Sequence, residues 1–335
     1  MTGKTIVYLP NWLGDMVMAT PLLHSLRACL EGELWAIGKS KALQLYNGND
    51  LFDRFIPYND KGLIPFLDTV NLVKTLGFER GVIMPHSFRS ALLFFVGNVV
   101  NRIGYARNSR GFMLTSRVEE KARPEPTVEH YLRIIDAMNS KRVLEAPVLK
   151  VTEDEDEKFD EKYMDMRSPY VVFITGAQYG PSKRWPDSYF SELADRIVKD
   201  LNMNVNILPG FGEEELARKI CQEVKHKEQV AIKSMDIREL KVCLSRASAV
   251  VSNDTGPRHI SAALSVPTIV LLGPMDDQYT YYPSSCTYAL SKDISCRPCN
   301  KKKCDRNHAC LTSIAPDEVF LKLEEILEAR PSKTH

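Results

Sequence analysis

The 335-residue chain has no uninterrupted apolar run of about 18 residues, which excludes an ordinary spanning helix. It shows no excess of either charge. With 44 Lys+Arg against 43 Asp+Glu the formal net charge is +1, which excludes a uniformly basic nucleic-acid binder. The first residues lack the apolar core and small-residue cleavage site of a signal peptide: the run 6–9 is four residues long and stops at Pro10-Asn11, so a cytoplasmic location is expected. There is no Gly-x-Gly-x-x-Gly after the first apolar run, no Walker A sequence and no short-period repeat. What is present is ordinary for a globular protein: 44% apolar and 26% charged residues, too apolar and too evenly charged for disorder. The length suits two domains, each able to bury a core.

Short apolar runs alternate with helix-like stretches. In the first half, 6–9, 33–37 and 81–84 read as strands and 19–30 as a helix with Leu22, Leu23, Leu26 and Leu30 on one face. A charged run at 153–157 reads as a solvated helix face near a domain junction. The alternation then restarts. Strands are expected at 170–175, 204–208, 249–252 and 268–272, and helices at 187–201, 213–225 and from 259. A last amphipathic helix, 316–328, is expected to pack back across the junction. The pattern predicts two successive α/β halves with parallel sheets, divided as 1–160 and 161–335.

Three turns follow strands, where ligands of parallel sheets bind. Asp15, after Gly14, lies near a helix N-terminus and is either an N-cap or a carboxylate facing a cleft. The loop 175–186 carries Thr175, Gly176, Gly180, Ser182, Lys183 and Arg184, a pattern suited to cradling phosphate, with a solvated basic loop as the plain alternative and Trp185 as a packing anchor. Asp254, Thr255, Gly256 and His259 open another helix, either capping it or offering N–H groups to a diphosphate. Together these turns point to a nucleotide-bearing donor. Four cysteines, Cys296, Cys299, Cys304 and Cys310, fall within 15 residues beside Lys301, Lys302, Lys303 and Arg306. Thiolates so crowded can hold zinc or iron; the alternative is reduced thiols on a basic loop, which is also a candidate for anionic lipid headgroups.

The segments PNWLGDMVMATPLL (10–23), MPHSFRSALL (84–93), RIGYARNSRGFML (102–114), GAQYGPSKRWP (176–186), NDTGPRHISAAL (253–264) and LLGPMD (271–276) occur in an order that resembles glycosyltransferase family 9, the ADP-heptose–lipopolysaccharide heptosyltransferases. The resemblance implies a GT-B fold, two Rossmann-like domains with parallel sheets facing a central cleft. The first would bind the acceptor and the second the nucleotide sugar. It implies inverting transfer of heptose from ADP-L-glycero-D-manno-heptose to the lipopolysaccharide inner core, with no cofactor required for the chemistry. By motif position Asp15 would be the general base, Lys183 would meet the donor phosphates, and Asp254, Thr255, Gly256 and His259 would line the ADP site. Some of His86, Arg89, Arg102, Arg107 and Arg110 would meet the anionic acceptor, the others being solvated surface residues. Glu213, Glu214 and Glu215 follow the strand 204–208; one would hold the ribose, and Glu214 stands as the candidate. A lipid-linked acceptor would bring the protein to the inner face of the cytoplasmic membrane. The alternatives are another GT-B enzyme acting on a different nucleotide sugar, as transferase or epimerase, and a metal-stabilised binding module.

Overall fold

The computed structural model describes residues 3–58, 61–121, 125–166 and 169–329. The chain forms two compact units, Met1–Lys150 with Gln278–Pro283, and Val151–Asp277 with Ser284–His335. The division falls earlier than residue 160 because the helix Glu153–Lys162 belongs to the second unit. Its Glu155 is buried against Lys241 at 3.0 Å, and it packs on the helix Ile237–Arg246. The acidic run is therefore only partly a solvated face. Glu155 also closes a capping box with Thr152.

The first unit is built on six parallel strands, β1 (Thr5–Tyr8), β2 (Leu34–Gly38), β3 (Arg54–Pro57), β4 (Arg80–Ile83), β5 (Asn101–Tyr105) and β6 (Ser116–Val118), in the order β3-β2-β1-β4-β5-β6. The second repeats the plan with β7 (Tyr170–Ile174), β8 (Asn204–Ile207), β9 (Val230–Ile232), β10 (Ala249–Asn253), β11 (Thr268–Leu271) and β12 (Thr287–Leu290), in the order β12-β11-β10-β7-β8-β9. Every pairing is parallel. Strands β1, β7, β10 and β11 are buried along their whole length, and each carries at least three successive apolar residues. The edge strands β3, β6, β9 and β12 are three or four residues long and partly exposed, so little in their sequence marks them.

Both sheets have the Rossmann strand order, which reverses between β1 and β4 and between β7 and β10. The chain parts there, leaving a crevice at the carboxyl ends of the strands where ligands bind. The segments that follow β1 and β4 carry Asp15 and His86; those that follow β7 and β10 carry Lys183 and Asp254.

The last helix, Pro316–Glu328, packs on Asp187–Leu201 within the second unit. Val319, Phe320, Leu323 and Ile326 join the core of that unit, with Phe173, Trp185 and Phe190. Among the described residues no helix is long and apolar enough to cross a membrane.

Candidate active site

In the first unit Asp15 stands third in the six-residue helix Leu13–Met18 and is not its cap: the N-cap is Trp12, which makes no side-chain capping bond. Its carboxylate accepts a hydrogen bond from Tyr131 Oη at 3.2 Å. Burial pushes the Asp15 pKa up, and the Tyr131 hydroxyl only partly offsets this. Tyr46, fully buried close by, has its own pKa raised by burial and by the charge of Asp15, and donates to Met16 O at 2.7 Å. Asp15 is thus a carboxylate held in a poorly solvated place, with its basicity above that of an ordinary aspartate.

His86, after β4, places Nε2 3.1 Å from His130 Nε2. The His130 ring stacks flat on Tyr105 at 3.8 Å, and its Nδ1 lies 3.4 Å from Glu125, which is in turn paired with Arg133. The arginines behave differently from expectation. Arg110 is fully buried and donates to the carbonyls of Tyr105, Pro85 and Ser87 and to Ser90 Oγ. Burial, with Arg107 beside it, pulls its pKa down to about 10. Sealed from solvent, it holds the loop after β4 in place and is not available to an acceptor. Arg102 likewise donates to the carbonyls of Met113, Val99 and Val100. Arg107 pairs with Glu120 at 2.7 Å. Arg89, half-buried, donates to Tyr58 Oη and Gly62 O.

In the second unit the charges converge. Lys183 Nζ lies 2.7 Å from Asp254 Oδ2 and also donates to the Asp254 carbonyl at 3.1 Å. Arg258 Nε bonds the other carboxylate oxygen at 2.8 Å. Burial would raise the Asp254 pKa, but Arg258 and Lys183 together outweigh it and hold the carboxyl well below the usual range. Burial, with Arg258 adjoining, keeps His259 neutral. Two cations against one carboxylate leave a net positive charge at the start of the helix Gly256–Ala263. Its N-cap Thr255 makes no side-chain capping bond, so the first-turn N–H groups need outside partners. Thr175 Oγ1, at the end of β7, is buried without a hydrogen-bond partner. These features together describe a receptor for an anion.

Asn253, fully buried, fixes this arrangement: its Oδ1 accepts from Trp185 N at 3.0 Å and its Nδ2 donates to Thr175 O at 2.6 Å, tying the loops after β7 and β10 together. Trp185 is the anchor expected, its indole N–H on Ile314 O at 2.9 Å. Of the three glutamates, Glu213 and not Glu214 reaches the donor loop. Its Oε1 accepts from Ala177 N at 2.8 Å and from Arg184 at 3.0 Å. A Cβ on Gly176 would meet Glu213 Oε2 at 1.6 Å, so a larger residue there must displace that carboxylate. Glu214 starts the helix Glu214–Glu223 and turns back to Gly212 N at 3.4 Å; Glu215 pairs with Arg218.

Of the two readings of the cysteines, a metal site is not supported among the described residues. All four are free thiols, and Cys304 Sγ accepts from the Arg306 and His308 amides at 3.3 Å. They are close enough to influence the Cys310 pKa, yet among the described residues no three His, Cys, Asp or Glu side chains are disposed to hold a metal ion. The segment instead braces the donor loop. Ser182 Oγ donates to Lys301 O at 2.6 Å and Tyr179 Oη to Asn300 O at 2.7 Å.

Tyr131, Asn253 and Arg258 are missing from the residues singled out by sequence. Arg258 had a signal, its i,i+4 spacing from Asp254. Tyr131 had none, because its partner lies 116 residues away.

Two Rossmann-like units, each with candidate ligand-binding residues at its switch point, are the architecture of the GT-B class. Residues 70–310 match the family described as glycosyltransferase family 9 (heptosyltransferase), and the chain belongs to that family. It is 25% identical over 295 residues to lipopolysaccharide heptosyltransferase 2 of Salmonella typhimurium, covering 83% of this chain and 84% of the relative. The fold matches ADP-heptose lps heptosyltransferase II of E. coli with a TM-score of 0.85 at 22% identity, covering 97% and 98% of the two chains. It also matches the E. coli heptosyltransferase WaaC solved with ADP-2-deoxy-2-fluoro heptose, with a TM-score of 0.72 at 16% identity, covering 96% and 99%.

Proposed function

We propose that the protein is an inverting heptosyltransferase of the heptosyltransferase II kind, moving heptose from ADP-L-glycero-D-manno-heptose to the inner core of lipopolysaccharide. The observation that carries the reading is Asp15, a poorly solvated carboxylate of raised pKa held at a switch point by Tyr131. Inversion needs one base to take the proton from the acceptor hydroxyl as its oxygen bonds the anomeric carbon. The bond from that carbon to the β-phosphate oxygen breaks, and ADP leaves with the electron pair. Lys183, the N–H groups at the start of Gly256–Ala263 and Thr175 Oγ1 stabilise the charge that develops there. Glu213 takes the ribose, and His86 and Arg89 meet the anionic acceptor. The work takes place in the cytoplasm at the inner face of the membrane that carries the acceptor.

The test is incubation with ADP-heptose and a heptose-deficient inner-core acceptor. Transfer with release of ADP is expected, and no transfer to any such acceptor overturns the reading. A different nucleotide sugar is separated by thermal shift. ADP at 100 times its Kd stabilises by about 2.7 kcal/mol, or roughly 5–11 °C for a unit of this size. An equal response to UDP would favour the other donor class.

A further inference from the structure

The segment 80–118 holds six arginines and no Asp or Glu; of these Arg110 is sealed from solvent and Arg107 is paired with Glu120 just beyond the segment, which leaves four. It also exposes an unusual amount of apolar surface. The helix Phe88–Val96 buries Ala91, Leu93 and Phe94 and turns Phe88, Phe95 and Val96 outward. Phe112, on the turn Gly111–Met113, is 66% exposed, with its ring centroid 6.3 Å from that of Phe88 and 6.2 Å from that of Phe95. The three rings are therefore one patch. Val100, 60% exposed, lies just beyond the helix. The neighbouring helix Ile64–Leu76 packs alongside and leaves Ile64 74% exposed with Leu63 and Leu67, and Arg89 bridges to its start through Gly62 O. Folded monomers rarely leave so continuous an apolar surface in water.

We infer that this face docks on an anionic phospholipid bilayer, which rests on the reading that the acceptor is lipid-linked. The charge pattern selects this occupant. The Arg102 guanidinium lies 5.4 Å from the Phe95 ring, and Arg117, exposed, donates to Gly111 O beside Phe112. On the adjoining segment 61–78, Lys61 and Lys74 outnumber Asp68. Aromatic rings flanked by arginines and short of carboxylates suit the headgroup region, where rings insert and cations meet phosphate. A homotypic interface of this composition would set like charges against each other.

The test is co-sedimentation with vesicles of phosphatidylethanolamine and phosphatidylglycerol, and with phosphatidylcholine alone, without donor or acceptor. The intact chain is expected to sediment with the anionic vesicles and to be released by salt. Phe95→Ser with Phe112→Ser should lower the bound fraction at least fivefold, and Arg117→Glu should lower it independently. Transfer to a lipid-free oligosaccharide should be unchanged in both variants, whereas transfer to vesicle-embedded acceptor should fall. The inference is overturned if the protein stays in the supernatant with every vesicle, or if both variants bind as the parent does. A dimer dissolved by the phenylalanine changes would assign the face to a second copy and overturn it equally. Vesicle binding without transfer to any acceptor supports the surface while removing the heptosyltransferase reading; soluble transfer without vesicle binding does the reverse.

Discussion

Replacing Asp15 by Asn tests the base and its environment together. Asn keeps the shape and can still accept from Tyr131, but it cannot take a proton. Loss of a positioned general base lowers turnover by about 10²–10⁴-fold, equivalent to roughly 3–5 kcal/mol of barrier. Stability should move the opposite way. The folded pKa of Asp15 lies above its unfolded value near 3.8, because burial disfavours the charge more than Tyr131 supports it. The stability linked to this group is complete below 3.8 and is lost as pH rises through the folded pKa. At pH 8 the native enzyme therefore carries a buried charge that the Asn variant lacks, and the variant should melt higher. Below pH 4 the two should converge. Initial rates of ADP release and melting scans across pH measure both effects. The acid limb of kcat should sit above the ordinary aspartate value and vanish in the variant; Tyr131→Phe should move it further up. Turnover within threefold of the native enzyme, or a lower melting temperature at every pH, would refute the reasoning.

Three other outcomes follow from the second unit. Lys241→Met leaves the buried Glu155 carboxylate without its cation, so urea unfolding should show a loss of about 3–5 kcal/mol; changing Glu155 to Gln as well should restore part of it. Gly176→Ala pushes Glu213 off the Ala177 amide, and removing one charge-assisted bond of about 1.5 kcal/mol should raise the donor KM roughly tenfold with little change in kcat. His259 has a depressed folded pKa, so its contribution is present above about 6.5 and is lost as pH falls through the lower folded value. His259→Gln should flatten the decline of melting temperature between pH 6.5 and 5.

Much of the fold is legible because buried parallel strands are apolar without interruption. Runs such as 170–174 and 249–251 declare themselves, and the helices between them show one apolar face. The short edge strands stayed hidden, since they are neither long nor continuously apolar. At the site, turn chemistry pointed to Asp15, Lys183 and Asp254, because strand-end loops that bind anions combine glycine, hydroxyl and cationic residues within a few positions. Arg110 and Arg102 looked the same as binding arginines. Whether a guanidinium faces solvent or a cage of carbonyls depends on contacts that no local pattern records.

Composition, the alternation of apolar runs and the order of motifs alone determined the class: two parallel α/β halves and a family of glycosyltransferases. These are properties of neighbouring residues and of backbone hydrogen bonding, which act over a few positions. Only the tertiary structure decided that Glu213 and not Glu214 braces the donor loop, that Tyr131 holds the Asp15 carboxylate, and that Glu155 is buried against Lys241. Each of those rests on groups tens of residues apart or on side-chain direction, and burial and charge pairing take effect only when the chain has brought them within a few ångströms.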